Sequence, residues 1–231
     1  MTSVRGLSVL VAGASGGLGA PISRRLAAAG ARLTLLGRDR ARLEALGLDA
    51  ALVTGDLRRA DFPDRAVAAA VDAHGVLDGL IVASGVVAFG PLGDLPEEAL
   101  VDLFVVNALA PIRLLRAALP HLAASARVGH EPFVIHLSAI VAEQPVAGMA
   151  AYSASKGALT AYDAAAGREL RRVGIRLVDV RPPHSETGLV DRPLAGTAPR
   201  LPPGLDPDAV AARVLAAVLD DERDLPSMAF G

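Results

Sequence analysis

Short, unbroken runs of apolar residues alternate along this chain with longer segments in which apolar residues recur every three or four positions. The first pattern is typical of buried β-strands and the second of amphipathic helices. Strands are predicted at Leu7 to Ala12, Leu33 to Leu36, Ala51 to Thr54, Leu80 to Ala83, Pro132 to Leu137 and Ile175 to Val180. Helices are predicted at Gly17 to Ala29, Arg40 to Leu46, Asp64 to Ala73, Pro96 to Leu119 with a break near Pro111, Ala150 to Val173 and Asp208 to Leu219. The final residues are a candidate for a short edge strand.

Strands that alternate with helices form right-handed βαβ units around a parallel sheet whose two faces are both covered. No linker divides residues 1–231, so we expect one α/β domain with a doubly wound, Rossmann-like fold. Two stretches without a predicted element, residues 85–95 and 181–205, follow strands. Long loops at the carboxyl edge of such a sheet are usually functional, which makes them the expected substrate loops.

Composition narrows the classes of function. A net charge of -2 provides no general attraction to nucleic acid or to an anionic membrane. The chain contains no cysteine, which excludes disulfides, thiol catalysis and cysteine-bound metal and fits a reducing cytoplasm. Glycine or proline breaks every long uncharged stretch, so we expect a soluble protein without a membrane span. We also expect a cytoplasmic location and no metal site.

A glycine cluster lies between the first predicted strand and helix. Gly13, Gly17 and Gly19, together with Ser15 and Leu18, form a turn in which backbone N–H groups can approach a pyrophosphate at a helix N-terminus. The Gly-x-x-x-Gly-x-Gly spacing is wider than the usual dinucleotide fingerprint, and a glycine-rich turn also arises for purely steric reasons. We predict a dinucleotide phosphate site here.

The end of the second strand bears on the identity of the dinucleotide. The Leu-Leu-Gly segment there lacks the acid that commonly binds a ribose 2′-hydroxyl, and Arg38 follows it, available to a 2′-phosphate. NADP(H) is therefore favoured over NAD(H). The alternative is a solvated charged turn, because Asp39, Arg40 and Arg42 are close by.

Residues after the third and fourth strands would face the adenine and ribose. They are Asp56 and Leu57 after the third strand, and Ala83, Ser84 and Gly85 at the fourth. Ordinary turn chemistry is the alternative for each of them.

Four polar residues form the candidate catalytic set. Tyr152 and Lys156 are one helical turn apart, so an ammonium would lie beside a phenol and lower its pKa, unless the two are merely a solvated pair. Ser138 ends the fifth strand, at the ligand edge. Asn107 is a polar residue within an apolar helix, where it either mends the break near Pro111 or holds a water.

These motifs, in this order and spacing from Leu7 to about Leu219, resemble the short-chain dehydrogenase/reductase family. The resemblance implies one Rossmann domain with a seven-stranded parallel sheet, a nicotinamide cofactor and a homodimer or homotetramer. It also implies that Tyr152 is the general acid/base, that Ser138 binds the substrate oxygen, and that Lys156 lowers the pKa of Tyr152 and holds the nicotinamide ribose. Asn107 would support a proton-relay water.

The segment from Arg181 to Thr187 is similar to the Pro-Gly segment of the family, so Pro182 and Thr187 would lie near the nicotinamide and phosphates. Pro183 departs from that pattern, and Ala83-Ser84-Gly85 replaces the usual Asn-Asn-Ala-Gly.

The predicted function is an NADP(H)-dependent oxidoreductase that acts on a carbonyl or secondary alcohol. The substrate pocket is expected to be apolar, with candidates Val86, Val87, Phe89, Val141, Met149, His184 and Leu189. Two alternatives are a non-catalytic NADP-binding sensor or scaffold, and an epimerase or dehydratase on the same fold. A helical row of small residues, Ala154, Ala158, Ala161 and Ala165, would allow close packing against either a partner chain or the sheet.

Overall fold

A computed structural model describes residues 3–231. Its strands are β1 (Ser8–Ala12), β2 (Arg32–Gly37), β3 (Ala50–Thr54), β4 (Gly79–Val82), β5 (Phe133–Leu137), β6 (Arg176–Val180) and β7 (Asp224–Leu225). Its helices are α1 (Gly19–Ala28), α2 (Arg40–Glu44), α3 (Phe62–His74), α4 (Glu97–Phe104), α5 (Ala110–Arg127), α6 (Ala150–Arg171) and α7 (Pro207–Leu219). The predicted strands and helices are thus present, and the short edge strand is β7.

All seven strands are parallel, in the order β3-β2-β1-β4-β5-β6-β7. The chain moves outward in one direction from β1 to β3 and then crosses back to β4. A crevice therefore opens at the carboxyl ends of β1 and β4, where the two directions diverge and where ligands bind in such sheets.

Helices cover both faces of the sheet, which explains why the strands are unbroken apolar runs. Val9 and Val11 of β1 pack towards α1 and α7, whereas Leu10 and Ala12 pack towards α3 and α5. Successive side chains of a strand point to opposite faces, so a strand covered on both faces needs apolar residues at every position.

The break in the helix after residue 96 lies close to its predicted position near Pro111. A single π-helical turn, Val105–Leu109, separates α4 from α5, and α5 extends to Arg127, beyond the predicted end at Leu119. Pro111 follows this turn directly, at the second position of α5, and it has no N–H to donate to the carbonyl of Asn107 four residues earlier. Such π-turns are frequent at functional sites, and this one contains Asn107.

The two predicted substrate loops pack against each other above the crevice. The N–H of Phe89 in residues 85–95 donates to the carbonyl of Ala195 in residues 181–205 at 2.9 Å. A parallel bridge between Ser185 and Leu205 closes the longer loop at its base. From residue 3 onward, no helix is both long and apolar enough to span a bilayer.

Candidate active site

A cleft of about 850 Å³ lies at the carboxyl edge of the sheet, below the two loops. Most of the predicted site residues line it: Gly13, Ser15, Gly17, Leu18, Arg38, Asp56, Leu57, Ala83, Ser84, Gly85, Ser138, Tyr152, Lys156, Pro182 and Thr187. Gly19 and Asn107 do not line the cleft. Both lie behind its wall, where they shape the backbone.

Within residues 3–231, the glycine turn presents unpaired backbone N–H groups at the entrance to α1. In the described chain, the backbone N–H groups of Ser15, Gly17 and Leu18 have no protein acceptor, at the entrance to α1. A Cβ at Gly17 would lie 2.4 Å from the Cβ of Thr187, and one at Gly19 would lie 2.0 Å from the carbonyl oxygen of Gly13. Any larger side chain would therefore displace the backbone, and the free N–H groups fit a pyrophosphate.

The far end of the cleft is basic. Arg38 is exposed and forms no ion pair or hydrogen bond with a described residue, while Arg42 donates to the carbonyl of Ser15 at 3.0 Å. Asp39 caps α2 by accepting from the N–H of Arg42, which occupies one of its oxygens. Arg58 is less available, because it pairs with carboxylates on both sides.

Tyr152 and Lys156 project from the first turns of α6 into the cleft, both almost fully buried at 7% and 4% exposure. The ammonium of Lys156 donates to the carbonyl of Leu137 at 2.7 Å, at the end of β5. The Tyr152 hydroxyl forms no hydrogen bond with any described residue. The hydroxyl is therefore available to a molecule in the cleft.

Burial dominates the electrostatics of this pair, which corrects the sequence-based expectation. It raises the pKa of Tyr152 to about 12, rather than Lys156 lowering it. Burial also lowers the pKa of Lys156 to about 8, against the nearby carboxylates of Asp179 and Asp163, which act to raise it. In the protein alone, Tyr152 is thus a protonated phenol at neutral pH.

Lys156 is the only lysine in the chain, so its titration can be measured directly. We expect the single side-chain signal of protein labelled with [¹³Cε]-lysine to titrate with a pKa of about 8 in NMR spectra, instead of the ordinary 10.5. Asp179→Asn should lower this pKa further, because it removes a carboxylate that favours the ammonium. A midpoint near 10.5 would mean that the ammonium is solvated.

The lowered pKa of Lys156 also makes the stability of the fold depend on pH. Because folding depresses the pKa of Lys156, its contribution to stability is present above pH 10.5 and is lost as the pH falls through 8.

Ser138 is held from behind the cleft. Its hydroxyl donates to Oδ1 of Asp179 on the neighbouring strand β6 and receives a hydrogen bond from Thr160 Oγ1 at 3.2 Å. Arg181 donates to the other oxygen of Asp179 at 2.7 Å.

Asn107 anchors the loop that follows β4. Its Oδ1 accepts from the N–H of Val86 at 2.9 Å, and its Nδ2 donates to the carbonyl of Val86 and to Ser155 Oγ, at 2.9 and 3.0 Å. Both amide hydrogens are used, so the side chain ties the loop after β4 to α6 and forms no hydrogen bond to any described residue of the helix break itself. This supplies support where the sequence departs from the family pattern at Ala83-Ser84-Gly85.

The end of the cleft beside Tyr152 is mainly apolar. Val86, Val87, Val141, Met149, His184 and Leu189 line it. Phe89 does not line it, because the residue is buried in the apolar cluster that joins the two loops to Tyr152.

Some lining residues were not predicted from the sequence: Gly37, Gly55, Arg58, Val106, Ile140, Val146, Val190, Arg192, Pro199 and Leu201. The position of Gly37 and Gly55 at strand ends could have indicated them by the rule that found Arg38. Ser138 is held by two residues, Asp179 and Thr160, for which the sequence gave no signal. Lys156 is the only lysine in the sequence. This fact could have strengthened its assignment to the site.

Known proteins share both the sequence and the fold. Residues 8–195 match the family model described as short chain dehydrogenase. The chain belongs to the short-chain dehydrogenase/reductase family. It is 33% identical over 206 residues to 1-deoxy-11-beta-hydroxypentalenate dehydrogenase of Streptomyces exfoliatus, which covers 84% of this chain and 71% of that enzyme. As a member of this family, the chain is an oxidoreductase.

Solved structures agree in fold. A short chain dehydrogenase from Burkholderia cenocepacia in complex with NADP is 29% identical, with a TM-score of 0.83 and 98% of each chain covered. A 3-ketoacyl-(acyl-carrier-protein) reductase from Brucella melitensis, complexed with NADH, has a TM-score of 0.86 at 24% identity, with 97% of each chain covered. Structural relatives thus bind either nicotinamide cofactor.

Proposed function

We propose that this short-chain dehydrogenase/reductase is an NADP(H)-dependent enzyme that interconverts an apolar ketone or aldehyde and the corresponding alcohol. The observation that carries this proposal is the Tyr152 hydroxyl, buried, protonated and without a hydrogen-bond partner in the described chain, in a cleft shared with Lys156 and Ser138. A binding protein would need the glycine cradle but not an unpaired acid at this position.

When bound, the nicotinamide supplies or accepts the hydride. Tyr152 holds a proton at its hydroxyl oxygen and delivers it to the oxygen of the substrate carbonyl in reduction. In oxidation, Tyr152 must first lose that proton, which its raised pKa opposes unless positive charge is brought close. Lys156 holds its ammonium at the end of β5, where it can meet a ribose hydroxyl.

The preference for NADP(H) is supported by Arg38. The residue lines the cleft after β2 with no ion partner among the described residues, and Arg42 lies near it. An unpaired guanidinium at this position suits the 2′-phosphate through charge-assisted hydrogen bonds. The apolar lining beside Tyr152 supports a substrate without phosphate or sugar groups.

Oxidation of NADPH, followed by absorbance against a panel of apolar ketones and aldehydes, tests the proposal. We expect turnover with at least one of them, and the matching alcohol should reduce NADP⁺. Tight NADPH binding with no turnover on any carbonyl would favour the sensor or scaffold alternative. Product formation without net change in NADPH would favour an epimerase or dehydratase.

We also propose a cytoplasmic homodimer or homotetramer. Ala154, Ala158, Ala161 and Ala165 of α6 are all exposed, so this row of small residues does not pack against the sheet. Sedimentation velocity at micromolar concentration tests the assembly, and a single species of 23.6 kDa would contradict it.

The lack of cysteine supports a reducing compartment, which fractionation of the source cells would test.

A further inference from the structure

The hydrogen of the Ser138 hydroxyl is directed away from the cleft. Its acceptor, Oδ1 of Asp179, belongs to a carboxylate that is 5% exposed and also accepts from Arg181. A carboxylate held by a guanidinium is ionised and can only accept hydrogen bonds, so Ser138 must be the donor. Among the described residues, the other acceptors within reach are the carbonyl of Val180 at 3.4 Å and Thr160 Oγ1 at 3.2 Å, and both also lie behind the cleft.

One of the two lone pairs of Ser138 is also used. Thr160 donates to Ser138 Oγ at 3.2 Å, from the second turn of α6 beyond Tyr152. A hydroxyl has one hydrogen and two lone pairs. Once the hydrogen and one lone pair are used, the capacity that Ser138 offers to a molecule in the cleft is a single lone pair.

Ketones and alcohols differ in how they can use that lone pair. An alcohol carries an O–H that can donate to Ser138, whereas a ketone oxygen can only accept and gains no hydrogen bond there. Tyr152, whose hydroxyl is a donor, serves both forms. The two side chains thus present one donor and one acceptor, which matches an alcohol.

We infer that Asp179, held by Arg181, is a positioning residue that makes Ser138 a hydrogen-bond acceptor, so that the site binds the alcohol form of its substrate in preference to the carbonyl form. This inference rests on the proposed function and deepens it.

The variant Asp179→Asn should reverse the polarity of Ser138 with almost no change in shape. Arg181 only donates, so it attracts the amide oxygen and turns the amide N–H₂ towards Ser138. Ser138 then accepts from both the amide and Thr160, and its own hydrogen becomes available to the cleft. A ketone gains a hydrogen bond, and an alcohol loses one.

Dead-end complexes measure this without turnover. Benzylacetone is titrated calorimetrically into enzyme with NADP⁺, and the corresponding secondary alcohol into enzyme with NADPH, so neither complex can react. In Asp179→Asn the ketone Kd should fall and the alcohol Kd should rise, each by about five- to tenfold, the effect of roughly one hydrogen bond, so the ratio of the ketone Kd to the alcohol Kd should fall about 25- to 100-fold. Asp224→Asn is the matched control, because it removes another carboxylate partner of Arg181 without contacting Ser138, and its ratio should stay at the wild-type value.

Ser138→Ala provides a second measurement that does not depend on the folding of the Asp179 variant. It should weaken alcohol binding about five- to tenfold and leave the ketone Kd within about twofold. If the ketone is weakened as much as the alcohol, or a folded Asp179→Asn leaves the ratio unchanged, Ser138 donates into the cleft and the inference is wrong. A failure of the proposed function can be told apart from a failure of this inference. The first would appear as absent wild-type turnover in the NADPH assay, whereas the second would appear in the ratio of the ketone and alcohol Kd values.

Discussion

Replacing Tyr152 by Phe is expected to lower kcat about a thousandfold while the Kd for NADPH changes little. The variant keeps the ring that packs into the apolar cluster of the loops and removes only the hydroxyl. That hydroxyl has no hydrogen bond to a described residue, so its loss leaves no buried group unpaired and costs little stability. Proton delivery by a positioned acid contributes about 10² to 10⁴ in rate, which is the expected loss.

Steady-state turnover and NADPH fluorescence titration measure the two quantities separately. Tyr162→Phe is a matched control, because Tyr162 is the only other tyrosine and lies on the same helix α6. The side chain of Tyr162 packs against the apolar cluster on the face of the sheet covered by α3 and α5, so Tyr162→Phe should retain full activity. If Tyr152→Phe turned over substrate as fast as this control, the assignment of Tyr152 as the general acid would be wrong.

Replacing Arg38 by Ala is expected to raise the KM for NADPH about ten- to a hundredfold and to change the KM for NADH less than about twofold. Charge-assisted hydrogen bonds contribute about 1.5 to 3 kcal/mol each, and only NADPH carries the 2′-phosphate that would receive them. Because Arg38 is exposed and forms no hydrogen bond or ion pair with a described residue, its removal should leave the fold intact.

Arg40→Ala provides the comparison for this measurement. Arg40 lies two residues further along and is exposed, but it pairs with Glu44 at 2.8 Å and does not line the cleft. The KM values of Arg40→Ala for NADPH and for NADH should match those of the wild type. An equal rise for NADPH and NADH in Arg38→Ala would make Arg38 a general surface charge, with no role in the choice of cofactor.

Local patterns fixed much of the architecture. A strand covered on both faces must be apolar throughout, and a helix must repeat its apolar positions, so both can be recognised from their own residues. The spacing of four between Tyr152 and Lys156 placed them on one helical face for the same reason. The rule that parallel strands present their carboxyl ends at one edge then brought Gly13, Arg38 and Ser138 to one cleft.

The electrostatics of the site could not be derived in this way. The sequence placed an ammonium beside a phenol and implied a lowered pKa for Tyr152. The folded chain instead buries both groups, and the cost of removing a charge from water raises the pKa of Tyr152 and lowers that of Lys156. Burial is a property of all surrounding segments together, including the two loops, and no local pattern reports it.

By itself, then, the sequence determined the doubly wound sheet, the glycine turn and the chemical groups of the candidate catalytic set, because each follows from short-range spacing. Only the tertiary structure decided how those groups are used. Ser138 and Asp179 are 41 residues apart and meet because β5 and β6 pair in one register, and Asn107 reaches Val86 because a π-turn aims it there. The direction of a single hydroxyl hydrogen depends on such contacts between distant segments, which is why the acceptor role inferred for Ser138 emerges only from the fold.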